Sequence, residues 1–296
     1  MRRRVIRVAA AVVVAFIGTA WFLTAPSPLS ETAIDGMTGD ADRGALVFAA
    51  GGCASCHTAP GAEDGTLILS GGQAFATEFG TFHAPNISSD PVHGIGAWAT
   101  IDVVNAVKRG VSPKGQHYYP AFPYGSYGRA NNQDLVDLAA YLGTLPASDI
   151  PSLPHDIGFP FNIRRSVGGW KFLFWTDDWV IDGDLTDQQL RGRELAEGLA
   201  HCAECHTPRN ALGGLDTARW MGGAPNPNGS GNIPNITPVA LGWSEADIAE
   251  YLRSGFTPEF DTAGGEMAHV VKNMAQLPQS DRDAIAAYIA ALPDIE

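Results

Sequence analysis

Two five-residue stretches, CASCH at 53–57 and CAECH at 202–206, hold all four cysteines of this 296-residue chain. In each, two thiols are separated by two residues and followed directly by a histidine. No cysteine is left over for a disulfide. The pattern therefore reads as one local device made twice.

The surroundings repeat as well. APNISSD (84–90) answers IPNITPV (233–239), Trp98 opens a helical stretch as Trp243 does, and NNQDLVDLAAYLGTLP (131–146) answers QSDRDAIAAYIAALP (279–293). Corresponding positions keep their order and lie 145 to 149 residues apart, which is the mark of a duplicated unit. Each copy reads as three short helices joined by long loops. The first starts near Asp42 or Asp187 and runs into the cysteine motif. The second follows Trp98 or Trp243, with Thr100 and Ser244 as expected N-caps and Ser244–Asp247 at capping-box spacing. The third carries Leu135, Leu138, Ala139 and Leu142, or Ile285, Tyr288, Ile289 and Leu292, at helical spacing, and stops at Pro146 or Pro293. The chain divides into an N-terminal segment (1–38), a first unit (39–149), a connecting segment (150–185) and a second unit (186–296). The connecting segment is too aromatic for a flexible tether and is expected to pack across both units.

CxxCH is the attachment sequence of c-type haem. Two thiols on one turn of backbone bond to the two vinyl groups, and the adjacent histidine faces the iron. Cys53, Cys56 and His57 are expected to hold one haem, and Cys202, Cys205 and His206 a second. A lone CxxC could instead be redox-active or half a zinc site, but zinc shared by two CxxC units would leave both histidines idle.

A sixth iron ligand, Met or His, is expected from a loop before the last helix of each unit. In the second unit Met267 and Met274 lie there, and Met267 leaves more chain to return across the haem. The first unit has no methionine between His57 and its end. His117, at nearly the same distance from its CxxCH histidine as Met267, is the expected ligand. His83, His93 and an open iron are the alternatives. Trp98, Trp243 and Arg209 are candidates to meet haem propionates, with wall packing as the competing role for the tryptophans.

Arg2, Arg3, Arg4 and Arg7 precede an uncharged apolar run from Val8 to Ala25, which reads as an export signal. The run approaches the length needed to cross a bilayer, and Trp21 and Phe22 near its outer end suit an interface. An uncleaved anchor on the periplasmic side of the bacterial inner membrane is the reading adopted; a soluble periplasmic protein after cleavage is the alternative. The net charge of −13 excludes nucleic acid as a partner and suits docking on a basic one.

CASCHTAP, FGTFHAPNIS, GIGAW, YYPAFPY, CAECHTPRN, PNIT and GGEMAHVV, spread over residues from about 40 to 296, together resemble the diheme members of the cytochrome c superfamily. These include cytochrome subunits of bacterial membrane-bound alcohol and gluconate dehydrogenases. The resemblance implies an all-α fold of two tandem class I cytochrome c-like domains behind one N-terminal hydrophobic helix. It also implies that Met267 ligates the second haem. Some members of that family carry methionine in the first unit where this chain has Phe122, so their first-haem ligand does not carry over. The expected function is electron carriage between a periplasmic dehydrogenase or other donor and a downstream cytochrome or oxidase. A peroxidase-like enzyme using the first haem as an open site is the alternative.

Two complete motifs predict two covalently bound haems per chain. Haem staining of a denaturing gel with a pyridine haemochrome assay checks this. One haem per chain, or haem that acid acetone extracts, contradicts it.

Overall fold

The computed structural model describes residues 2–63, 66–227, 229 and 231–295. Helix α1, Arg2–Leu23, has no buried residue and a mean hydropathy of 2.1 over an 18-residue window. At a rise of about 1.5 Å per residue it is long and apolar enough to cross a hydrocarbon core of about 30 Å. The chain that follows does not hang free. Leu29 exchanges hydrogen bonds with the Asn105 side chain (2.6 and 3.0 Å). Asn132 and Gln133 donate to the carbonyls of Ala33 and Thr38, each at 2.9 Å.

The first unit comprises α2 (Ala41–Ala50), α3 (Cys53–His57), strands β1 (Ala74–Thr77) and β2 (Gly80–His83), then α4 (Thr100–Arg109), α5 (Tyr124–Tyr127) and α6 (Asn132–Leu142). The connecting segment contributes β3 (Asp156–Ile157) and α7 (Val167–Phe174). The second unit holds α8 (Asp187–Arg193), α9 (Ala203–His206), β4 (Ala224–Pro225), β5 (Asn232–Ile233), α10 (Pro238–Leu241), α11 (Glu245–Ser254), α12 (Glu266–Met274) and α13 (Gln279–Ala290). The fold is mostly helical, as expected. The short strands are an addition: β1, β2 and β3 form an antiparallel sheet in that order, so the connecting segment is zipped onto the first unit through Gly80↔Ile157 and Thr81↔Asp156.

In each unit the first helix crosses the last at a glycine. A Cβ on Gly44 would lie 2.0 Å from the Asp137 carbonyl oxygen of α6, and one on Gly192 would lie 1.9 Å from that of Ala284 in α13. Backbones this close leave no room for a methyl group. Beside each crossing an arginine of the first helix holds an aspartate of the last: Arg43 Nε–Asp137 at 2.7 Å and Arg191 Nε–Asp281 at 3.1 Å. Burial pushes the Asp137 carboxyl up, but its bonds from Arg43, the Asp40 N–H and Gln133 outweigh this and hold it below the usual carboxylate range. Around the crossings Leu135, Leu138, Leu195, Ile285 and Tyr288 fill a core that continues from one unit into the other.

The Ser244–Asp247 capping box forms, with Ser244 N–H donating to Asp247 at 3.0 Å and Asp247 N–H returning to Ser244 Oγ at 3.2 Å. Thr100 is not the cap of α4. Ala99 holds that position and its N–H donates to Asp102 at 3.0 Å, so the acidic half of a capping box forms without a side-chain acceptor at the N-cap itself. A π-helical turn, Glu194–Leu199, extends α8 toward the second cysteine motif.

The connecting segment touches both units. Lys171 Nζ donates to the carbonyls of Arg109 and Gly110 in the first, and Trp170 Nε1 to Leu212 in the second at 3.0 Å. Val180 and Ile181 N–H groups donate to Glu197 at 2.8 and 3.1 Å. Glu197 is wholly buried and also accepts from Tyr288, with the Arg129 guanidinium of the first unit 3.6 Å away. A buried carboxylate needs that many partners, because its lost hydration would otherwise be uncompensated.

Gly44→Ala and Gly192→Ala should each destabilise the haem-loaded protein by about 1–3 kcal/mol through overpacking. Denaturant unfolding measures this; two neutral substitutions would show that the helix crossings can spread at no cost.

Candidate haem sites

The residue before each first cysteine has left-handed backbone, Gly52 at φ 62° and His201 at φ 40°. That conformation turns the chain out of the first helix and into the cysteine motif. Glycine adopts it freely, and histidine is among the side chains that tolerate it. The motif itself then winds as one short helical turn, α3 or α9, so that both thiols and the histidine project from adjacent positions.

The two histidines are held in the same way. His57 Nδ1 lies 2.8 Å from the Pro85 carbonyl oxygen, and His206 Nδ1 lies 2.8 Å from that of Pro234. A carbonyl only accepts, so Nδ1 carries the proton and Nε2 is left with its lone pair for a metal. The loop bearing each proline is itself pinned. Gly71 and Gly223 N–H groups donate to the carbonyls of His57 and His206, both at 2.7 Å. The side chains of Asn86 and Asn235 accept from Ser88 and Thr237 N–H at 2.9 and 2.8 Å, while donating to Ile150 and Ile295 carbonyls at 2.8 Å. This is why PNIS and PNIT recur: proline supplies the carbonyl, and asparagine fixes where it points.

Burial pushes the Cys53 and Cys202 thiols up to about 12 and Cys56 up to about 11. These are neutral thiols at neutral pH, unlike the depressed cysteines of redox-active CxxC motifs. Burial also lowers the His57 and His206 imidazoles, partly offset by the proline carbonyls, so both rings are neutral, the form that binds metal. Among the described residues no three His, Cys, Asp or Glu side chains converge as a metal cluster would require, so the two motifs do not share one zinc. The donor set in each unit fits covalent haem: two thiols one turn apart and one imidazole with its Nε2 free.

Met267 stands in the first turn of α12, half-buried, while Met274 at the other end of that helix is buried in the core. Its counterpart in the first unit is Phe122. Both follow by twelve residues the left-handed glycine, Gly110 or Gly255, that ends the preceding helix. His117 occupies a different place. It pairs with Val111 as Thr262 pairs with Phe256, so it corresponds to Thr262, not to Met267. Its ring is buried with Nε2 3.0 Å from the Thr24 carbonyl oxygen, and its Nδ1 has no hydrogen-bond partner. His83 lies on β2, where its own N–H donates to His155 Nδ1 at 3.1 Å. His93 is exposed in a turn closed by Asp90.

Arg209 pairs with Glu204, the third residue of the second motif, and donates to the Gly213 carbonyl at 2.8 Å. Trp98 and Trp243 pack against the core. How the motifs meet across the units is visible only in the fold. Ser55, inside the first motif, accepts from Asn273 of α12 at 2.9 Å. Glu204, at the same position of the second motif, accepts from Ser126 of α5 at 2.7 Å. Each motif is thus gripped by the other unit's helix, in a near-twofold arrangement.

The family model described as cytochrome c matches this chain twice, over residues 41–146 and 189–293. The chain belongs to the cytochrome c family. A protein of Cereibacter sphaeroides named diheme cytochrome c-type is 54% identical over the whole of both chains. The fructose dehydrogenase cytochrome subunit of Gluconobacter japonicus is 37% identical over 85% of this chain and 52% of its own. The alcohol dehydrogenase (quinone) cytochrome c subunit of Gluconacetobacter polyoxogenes is 32% identical over 95% of this chain and 62% of its own. This chain therefore spans little more than half of those two dehydrogenase subunits. With both attachment motifs intact in two family domains, it is a diheme cytochrome that binds two haem c groups covalently and carries electrons.

Proposed function

We propose that this cytochrome takes electrons from a dehydrogenase on the periplasmic face of the inner membrane and passes them to a downstream respiratory acceptor, while held at that membrane by α1. The observation that carries the reading is the duplicated site, two imidazoles fixed in the same way through Pro85 and Pro234, each beside its own pair of thiols. The printed names of the relatives, cytochrome subunits of fructose, alcohol and gluconate dehydrogenases, support a dehydrogenase as the donor. The bonds that stitch residues 24–38 to the first unit support an uncleaved anchor, since removal of the segment through Thr24 or beyond would strip partners from His117 and Arg165.

Bound haem supplies a one-electron couple at each site. The chain sets how that couple behaves. Cys53, Cys56, Cys202 and Cys205 tie the groups in place, and His57 and His206 present Nε2. Met267 is the proposed sixth ligand of the second haem: its thioether, a soft donor, favours ferrous iron and raises the potential. The first unit offers the phenyl ring of Phe122 at that register, so its haem lacks the thioether and has the lower potential. His117, the ligand expected from spacing, would have to give up Thr24 to reach iron. We assign it instead to clamping the outer end of α1 against the first unit.

Near-infrared spectroscopy of the oxidised protein tests these assignments. The weak absorption of methionine-ligated ferric iron should account for one haem and vanish in Met267→Ala. His117→Ala should leave the spin state of the first haem unchanged while exposing the Thr24 region to protease. Conversion of the first haem to high spin in His117→Ala would make it the ligand after all.

A further inference from the structure

The connecting segment carries a feature that electron transfer does not account for. Residues 157–175 contain Arg164, Arg165 and Lys171 and no acidic residue, in a chain of net charge −13. The same stretch exposes large apolar side chains: Phe159 is 81% exposed, Phe172 64% and Leu173 63%, with Phe161 and Ile163 also at the surface. Helix α7 is two-faced. Val167, Gly168 and Lys171 are buried against the first unit, and Phe172 and Leu173 point away from it.

This segment is continuous with the exit of α1. The Arg165 guanidinium lies 4.3 Å over the Trp21 ring and donates to the Trp21 carbonyl. Gly168 faces the Thr24 carbonyl so closely that a Cβ there would come within 2.0 Å of it. Arg109 Nε donates to the Ser27 carbonyl at 3.1 Å. Trp21, Phe22 and Leu23 at the end of α1 are themselves exposed. Apolar and aromatic side chains interleaved with arginines, at the foot of a membrane-spanning helix, match the composition of the bilayer interface.

We propose that residues 159–173 form a second membrane contact, with Phe159, Phe172 and Leu173 inserted among lipid headgroups and upper acyl chains and Arg164 and Arg165 at the phosphate level. The proposal rests on the reading of α1 as an uncleaved anchor and adds to it. A single helix would let the protein swivel. A second contact through α7, which is bonded to both units at Arg109, Gly110 and Leu212, would set the orientation of both haem sites relative to the membrane.

The test uses the full, haem-loaded chain in vesicles of phosphatidylethanolamine and phosphatidylglycerol. All four native cysteines are consumed by haem, so a nitroxide label reacts with one introduced thiol. Labels are placed singly by Phe159→Cys, Phe172→Cys and Leu173→Cys, with Val13→Cys in α1 and Val239→Cys in α10 as references. Collision with oxygen, which concentrates in lipid, is compared with collision with a water-soluble nickel chelate. The three test labels should favour oxygen over nickel several-fold more than Val239→Cys does, and approach Val13→Cys. If they match Val239→Cys while Val13→Cys stays in lipid, the second contact is overturned and the anchor stands. If they are closed to both reagents, a partner subunit or second copy covers the face, and the proposal is equally overturned. If the Val13→Cys label is missing from the mature chain, the anchor reading fails, and lipid-facing test labels would then show that α7 binds the membrane by itself.

Discussion

The hydrogen bond from a histidine Nδ1–H to a proline carbonyl is the interaction on which both halves of this molecule depend. It decides which ring nitrogen is free for iron, and it decides the plane in which the ring lies. Its cost is a loop that must bring Pro85 or Pro234 back over the motif and hold it there. Much of the irregular chain between the first and second helices of each unit serves that end. Gly71 and Gly223 tie the loop to the histidine carbonyl, and Asn86 and Asn235 fasten its far side to the end of the unit. The helices supply the frame, through glycine crossings that bring the first and last of them into backbone contact.

The two units share structure but not surroundings. Their motifs face each other's fifth and twelfth helices, bonded through Ser55–Asn273 and Glu204–Ser126. Arg129 and Glu197 add a buried ion pair across the join, and burial lowers the arginine while the carboxylate supports its charge. The stretch after α1 is hydrogen-bonded to the first unit through Asn105, His117, Asn132 and Gln133. In the proposed assignment the buried His117 ring fills the gap between the first unit and α7 and offers Nε2 to the Thr24 carbonyl.

The attachment motifs, the duplication and the last helix of each unit were legible in the sequence because each follows from local spacing. So was the capping box at Ser244, which is a contact over three residues. For His117 the same kind of counting disagrees with the register of the fold. Distance along the chain from His57 matched the distance from His206 to Met267, but the loops between differ, and only the pairing of Val111 with His117 reveals that its counterpart is Thr262. The grip of each motif by the opposite unit depends on residues more than 70 positions apart in one case and more than 200 in the other, which no periodicity encodes. The aromatic connecting segment was rightly read as packed across both units. Its exposed second face appears only when burial is known residue by residue.

The proposed ligation makes one duplicated site chemically unequal, with the Met267 thioether at the second haem and the Phe122 ring at the same register in the first unit. A spectroelectrochemical titration of the intact protein tests this most directly. Two resolved one-electron steps are expected, with the methionine-ligated haem reduced first as the potential is lowered. Two coincident steps, or methionine ligation in the haem of lower potential, would contradict it.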